Sequence, residues 1–372
     1  MPNPTIGERI RGAFRDKNAL PPKAANFSLP ATPAGRVLGE LAGLLLLATL
    51  GSLINGAAMV AAMYGVQWEV SDLLGTTQLA YSAVLGAWLT WRVRQRRDLK
   101  GTPRLWPQLR TRAAGLLSTT VFFTAIPVDD MLHDDVGPAL FGCAVAWLAV
   151  EVCRAHGVWA DNGAPYTAVQ RLHAWQIAQM GFVACAAAGF LFGWLATLLL
   201  WIGPDSVPIM QDDQMSTLGI SSPTELVLAV VRAVVIEDVV IVAATVTLMK
   251  AVRRPTWEIY TLICLIEVAL HAYFGLPAIG AAVMAAGRVW LYLRYRSLLP
   301  LMASHALWDF VPSLQPPLQS LPLIPRVALL LCLGLAFSLV DARLKKATGK
   351  GKKSAPSPGT STAAASDEAT TP

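Results

Sequence analysis

Eight ionisable side chains lie inside apolar runs of the C-terminal half: Arg232, Glu237 and Asp238 in RAVVIEDVVIVAATV, Glu267 and His271 in CLIEVALHAYFG, Arg288, and His305 with Asp309 in LMASHALWDF. The five that combine carboxylate and imidazole chemistry most directly are Glu237, Asp238, His271, His305 and Asp309. A charged group at bilayer depth costs at least about 2.5–3.5 kcal/mol on insertion scales, so each is a functional candidate that faces a bundle interior. Two imidazoles and a carboxylate brought together from different helices are what general-base activation of a water requires. The carboxylate takes the proton, and the remaining groups hold the developing oxyanion. The same groups would also serve as interhelical polar contacts, or as a proton relay in a transporter.

Spacing sorts these groups further. Glu267 and His271 are four residues apart, as are His305 and Asp309, so each pair shares one helix face and gives its histidine a partner that can set the tautomer. Glu237 and Asp238 are neighbours, about 100° apart on an α-helix. The expectation is that Glu237 is central, with Asp238 rotated off the pocket in support. Arg232 and Arg288 are further charges within apolar runs. The cluster Asp129, Asp130, His133, Asp134 and Asp135 reads as an acidic solvated loop in preference to a divalent-cation site. His156 and His173 read as solvent-exposed loop residues.

The elements that must carry these groups are membrane helices. Of 372 residues 54% are hydrophobic and 15% charged, against about 25% charged in an average soluble domain, and the mean hydropathy is +0.49. The apolar residues fall in runs suited to crossing about 30 Å of hydrocarbon at 1.5 Å per residue. The fold class expected is all-α, a transmembrane bundle of about ten spans near 37–63, 74–91, 113–128, 136–153, 176–202, 223–249, 257–275, 277–294, 298–311 and 323–342. The best-marked start is Ser222-Pro223-Thr224-Glu225, with an N-cap serine, a proline at the first helical position and a capping-box glutamate.

Loop charge sets the orientation. Arg92, Arg94, Arg96, Arg97, Lys100, Arg104, Arg110 and Arg112 crowd one loop, whereas 64–73, 129–135 and 203–222 hold no Lys or Arg. By the positive-inside rule the first is cytoplasmic and the others external, so both termini are cytoplasmic. The chain divides into a disordered basic arm (1–35), about five N-terminal transmembrane helices (36–222), a catalytic transmembrane core (223–342) and a disordered cytoplasmic tail (343–372). The five cysteines, Cys143, Cys153, Cys185, Cys264 and Cys332, read as buried thiols with no zinc spacing.

The order Glu237-Asp238, His271, then His305 with Asp309 resembles the CAAX-protease and bacteriocin-processing (CPBP, or Abi) family of glutamate intramembrane peptidases. That family carries EExxxR, FxxxH and HxxxN/D motifs on successive core helices, and the resemblance spans about residues 223 to 311. It implies that Glu237 with His271 activates the attacking water, while His305 and Asp309 stabilise the tetrahedral oxyanion. Three positions depart from the pattern: Asp238 replaces the second Glu, Val242 the Arg, and Glu267 the Phe. Arg232 and Arg288 are candidates to supply the missing cation.

The function expected is a CPBP-type endopeptidase that hydrolyses peptide bonds in or next to the membrane. The alternatives are a non-catalytic protein of the same fold, acting in bacteriocin self-immunity or as a scaffold, and a proton-coupled transporter. No cofactor is expected, although Glu237, His271 and His305 could hold zinc if the reaction depends on metal. The partners expected are the lipid bilayer and a peptide or protein substrate, membrane-anchored substrates included, with no nucleic acid. The compartment is a bacterial-type plasma membrane. Helix ends place the site between the bilayer centre and the outer leaflet, with His271 about four residues inside its helix.

Overall fold

The computed structural model describes residues 33–68, 70–95, 105–126, 131–158, 168–202, 209, 214–313, 325, 338–344 and 346. Among these the structure is helical, with no strand beyond a single Ile209–Gly275 bridge. The helices are α1 (Ala34–Met63), α2 (Ser71–Gln95), α3 (Leu105–Thr124), α4 (Gly137–Ala155), α5 (Ala168–Ile202), α6 (Pro223–Val234), α7 (Thr245–Ala251), α8 (Thr256–Leu270), α9 (Ala281–Tyr295) and α10 (Leu298–Asp309). A π-helical segment, Val235–Ala244, joins α6 to α7 into one rod, and another, Met131–Val136, leads into α4.

Four stretches are long and apolar enough to cross a membrane: Ala34–Met63, His133–Ala155, Gln170–Ile202 and Leu276–Tyr295. Their outer faces carry large apolar side chains that water would not tolerate in such number, among them Phe190 and Trp201, which are 77% and 87% exposed, and Leu116 of α3 is 71% exposed in the same way. With lipid as the solvent those faces need no cover, and the chain is an integral membrane protein. The tenth expected span, 323–342, lies mostly outside the described residues.

The rod that begins with α6 starts as its sequence specifies. Ser222 Oγ accepts from Glu225 N at 3.2 Å, while the Glu225 carboxylate accepts from Ser222 N at 3.1 Å, a reciprocal pair that satisfies orphan donors of the first turn. From Ile236 to Met249 every residue is buried. A helix apolar on all sides belongs in the middle of a bundle, and this one is packed by α1, α4, α8, α9 and α10.

α5 lies against α9 and α10 and approaches them through small residues. A Cβ built at Gly181 would meet Ser304 Oγ at 2.3 Å, one at Gly189 would meet Trp308 at 2.4 Å, and one at Gly287 would meet Ala184 Cβ at 2.6 Å. Close backbone approach through glycine and alanine is how membrane helices gain packing enthalpy when lipid removes the hydrophobic incentive to associate. The helix that carries His305 is fixed in this way by a helix far from it in sequence.

Ion pairs pin the basic ends of α1 to α4. Glu40 on α1 accepts from Arg92 of α2, from Arg36 at 3.2 Å and from His156 Nε2 at 2.9 Å. On α4, Glu151 accepts from Arg110 of α3 at 2.5 Å and from Arg154 at 3.1 Å. His156 and His173 are 2% and 6% exposed, which corrects their reading as solvated loop residues. His156 is drawn inward by the carboxylate of Glu40, a partner 116 positions away that local sequence does not reveal. Of the cysteines, Cys153 and Cys185 are buried and Cys143 and Cys264 half-buried, while Cys332 lies outside the described residues.

Candidate active site

The rod, α8, α9 and α10 bring their charged side chains to one place. At its centre is Arg288 of α9, 1% exposed. Its Nη1 donates to Asp238 Oδ1 at 3.1 Å and lies 3.1 Å from His305 Nδ1. Its Nη2 donates to Glu237 Oε2 at 3.1 Å and to Glu267 Oε1 at 2.5 Å. One guanidinium therefore serves three carboxylates, as its planar fork of donors allows and a lysine's single ammonium does not. Of the two arginines proposed to replace the one missing at Val242, Arg288 takes the position; Arg232 donates to Ser52 Oγ on α1 at 3.1 Å.

His305 presents both ring nitrogens to acids. Nδ1 is 3.1 Å from Asp238 Oδ2, and Nε2 is 3.5 Å from both Glu237 Oε2 and Asp309 Oδ2. Nε2 between two carboxylates suits an N–H there, while Nδ1 sits at 3.1 Å from both the Asp238 acceptor and the Arg288 donor, so its role is set by the tautomer. The intrahelical partnership with Asp309 expected from the four-residue spacing is present.

The local path of the rod explains how two adjacent acids share one partner. In the Val235–Ala244 segment the backbone bonds i→i+5, as seen where Thr245 N–H reaches Val240 O. More than 3.6 residues then complete a turn, so consecutive side chains diverge by less than the 100° of an α-helix, and π segments of this kind occur often at functional sites. Asp238 is not rotated off the pocket. It is fully buried and bonded to both Arg288 and His305, while Glu237 is 9% exposed. The expected difference between the two acids in access to the site stands, but the expected difference in contact does not.

His271 also departs from expectation. α8 ends at Leu270, so His271 is the C-cap residue instead of lying four residues inside a helix that runs to 275. Gly275, at φ 74°, then turns the chain into the short helical turns before α9. The His271 ring bonds through Nδ1 to the carbonyl of Glu267 at 2.8 Å, whereas the Glu267 carboxylate is 3.9 Å away. A carbonyl accepts only, so Nδ1 carries the proton and Nε2 is left with the lone pair of a base. The ring stacks on Phe274, with centroids 6.2 Å apart and planes 4° apart, and also faces Phe192 of α5. It joins the carboxylate cluster through Glu267, whose side chain bonds to Arg288.

The catalytic set read from the sequence leaves out two residues found at the centre of the cluster, Arg288, read there only as a candidate cation, and Glu267, read there as a partner of His271. The signal for both was their charge within apolar runs, but their shared partners lie 21 to 51 positions apart along the chain. Of the residues named for a zinc alternative, Glu237 is turned to Arg288 and His271 Nδ1 to the Glu267 carbonyl, and among the described residues no group of three His, Cys, Asp or Glu has metal-ligand geometry. Of the acidic cluster at 129–135, Asp129 and Asp130 lie outside the described residues, and His133 Nδ1 is 3.2 Å from the Thr124 carbonyl.

The site is a largely buried cluster of carboxylates and imidazoles organised by one arginine among the helices of a membrane protein. Residues 220–311, about a quarter of the chain, match the family model described as Type II CAAX prenyl endopeptidase Rce1-like. The resemblance to the CAAX-protease and bacteriocin-processing family read from the motifs thus holds over the segment that carries the cluster. Comparisons with curated proteins and with solved structures give no match.

Proposed function

We propose that this protein is a CPBP-type intramembrane endopeptidase that hydrolyses peptide bonds in or next to the bilayer without a metal. The observation that carries the reading is the convergence of Glu237, Asp238, Glu267 and His305 on Arg288 within the segment similar to a protease family. In the proposed reaction Glu237, the acid with some exposure, takes a proton from water, and His271 Nε2 orients that water or shares the proton. The hydroxide adds to the scissile carbonyl, and collapse of the tetrahedral species breaks the C–N bond as the proton held by Glu237 passes to the leaving amine. His305, held by Asp238 and Asp309, donates to the oxyanion. Arg288 does not touch the substrate; it holds the acids in place.

The test is incubation of purified protein in liposomes with a membrane-embedded reporter peptide, followed by mass spectrometry of the products and metal analysis of the same sample. New peptide ends without bound metal are expected. Intact peptide in the presence of folded protein would favour the non-catalytic scaffold reading, and stoichiometric zinc would overturn the metal-free mechanism.

The same proposal includes ten spans, both termini in the cytoplasm of a bacterial-type plasma membrane, and a catalytic core over 223–342 preceded by about five helices. It rests on the alternation of basic and non-basic loops. A reporter fused after Arg97 is expected to read cytoplasmic and one after Asp213 external; a cytoplasmic signal at Asp213 would mean that the helix count before it is wrong by one.

A further inference from the structure

An open groove of about 540 Å³ runs between α2 and α3, and none of the carboxylate-cluster residues lines it. From α2 it is bordered by Ser82, Gly86, Thr90 and Arg94, every fourth residue and so one helix face, with Trp91 beside them. From α3 come Gly115, Ser118 and Phe122.

Length and charge point to the occupant. Ser82 to Arg94 is about 18 Å of helix at 1.5 Å per residue, close to one leaflet of a hydrocarbon core about 30 Å thick. A docked transmembrane helix would need a groove through both leaflets. The groove starts at the basic end of α2, where exposed Arg94 and Trp91, 45% exposed, sit at the level of the headgroups. Arg92, two residues earlier, is committed to Glu40, whereas Arg94 faces the groove. A basic side chain at that level attracts anionic lipid.

We propose that the α2–α3 groove binds an anionic phospholipid, one acyl chain lying along Gly86 and Gly115 and the phosphate on Arg94. The lipid would brace α3 against α2, and through the Arg110–Glu151 pair it would stabilise the position of α4. α4 in turn packs on the rod that carries Glu237 and Asp238.

The structure supplies a variant that fills the groove without a clash, because a Cβ at Gly115 has nothing within 4 Å. Full-length protein in detergent, titrated with phosphatidylglycerol or with phosphatidylcholine and read by native mass spectrometry and thermal melting, gives the test. Wild type is expected to retain phosphatidylglycerol and to melt higher with it than with phosphatidylcholine. Arg94→Gln should weaken phosphatidylglycerol about fivefold, the share of one basic contact, and remove the preference. Gly115→Leu should lose both lipids at an unchanged melting temperature without lipid. Ser82→Ala should leave lipid retention unchanged, since an acyl chain offers the Ser82 hydroxyl no partner and none is present among the described residues. Equal retention of the two lipids by wild type, or unchanged retention in Gly115→Leu, would overturn the proposal. So would a dimer that Gly115→Leu or Ser82→Ala dissociates, because the groove would then hold a helix.

Discussion

Glu237→Gln should leave the protein folded and inserted while lowering cleavage of the membrane-embedded reporter by about 10²–10⁴-fold, the usual contribution of a positioned general base. The amide keeps the shape of the side chain and can still face Arg288 Nη2, which now stands 3.1 Å from Glu237 Oε2, but it takes no proton from water. His271→Ala and His305→Ala should fall to similar rates. Double variants should be little worse than single ones, because groups that act as one unit are not additive. Asp238→Asn is expected to be damaging as well, contrary to what an α-helical projection suggests, since Asp238 joins Arg288 to His305. Rates with purified variants in liposomes provide the measurement. Wild-type turnover in Glu237→Gln would mean that Glu237 is not the base, whereas absence of cleavage by the wild type itself would favour the non-catalytic reading.

Arg288→Met should be among the most destabilising substitutions in the chain, by about 3–5 kcal/mol, the range for removing one partner of a buried charge network. The methionine fills much of the space but leaves Glu237, Asp238 and Glu267, which are 9%, 0% and 0% exposed, without their common cation. Arg288→Lys restores the charge as a single point and cannot span donors to three acids at once, so it should recover only part of the loss. Arg232→Gln serves as the control, because Arg232 bonds to a neutral hydroxyl. Melting temperature in detergent and yield of monodisperse protein distinguish these outcomes. Equal effects at 288 and 232 would mean that the cluster does not depend on Arg288 for its charge balance.

The parts of this arrangement that were legible in the sequence are those with a local cause. The capping box at Ser222 is written in four consecutive residues, and it forms as read. The pairing of His305 with Asp309 follows from a spacing of four. The presence of a polar centre among helices six to nine follows from the expense of placing charge in lipid. Features that depend on remote partners were not legible. Hydropathy cannot report that the rod widens to i→i+5 bonding at Val235, so the angular argument for Asp238 failed by the difference between two helix types. It also cannot say which of two arginines will fill the place left by Val242, since that choice is made by the packing of α9 on the rod. The burial of His156 depends on Glu40 in the same way. Helix ends fared worst where a residue type misled: the apolar Ala272, Tyr273 and Phe274 extend the hydropathy signal of α8 past the point where the chain actually turns.

The contacts of α5 separate two kinds of boundary that are easily treated as one. The family match opens at residue 220, yet Gly181 and Gly189, upstream of it, are shaped to the contours of Ser304 and Trp308, the residues on either side of His305 in the HxxxD stretch. What matches the family model thus begins later in the chain than what is mechanically continuous. Grafting only the matched segment onto another scaffold would transfer the reactive groups without the wall that sets the tilt of their last helix. Substitutions that enlarge residues 181 or 189 belong with those at the chemistry itself, although no motif contains them.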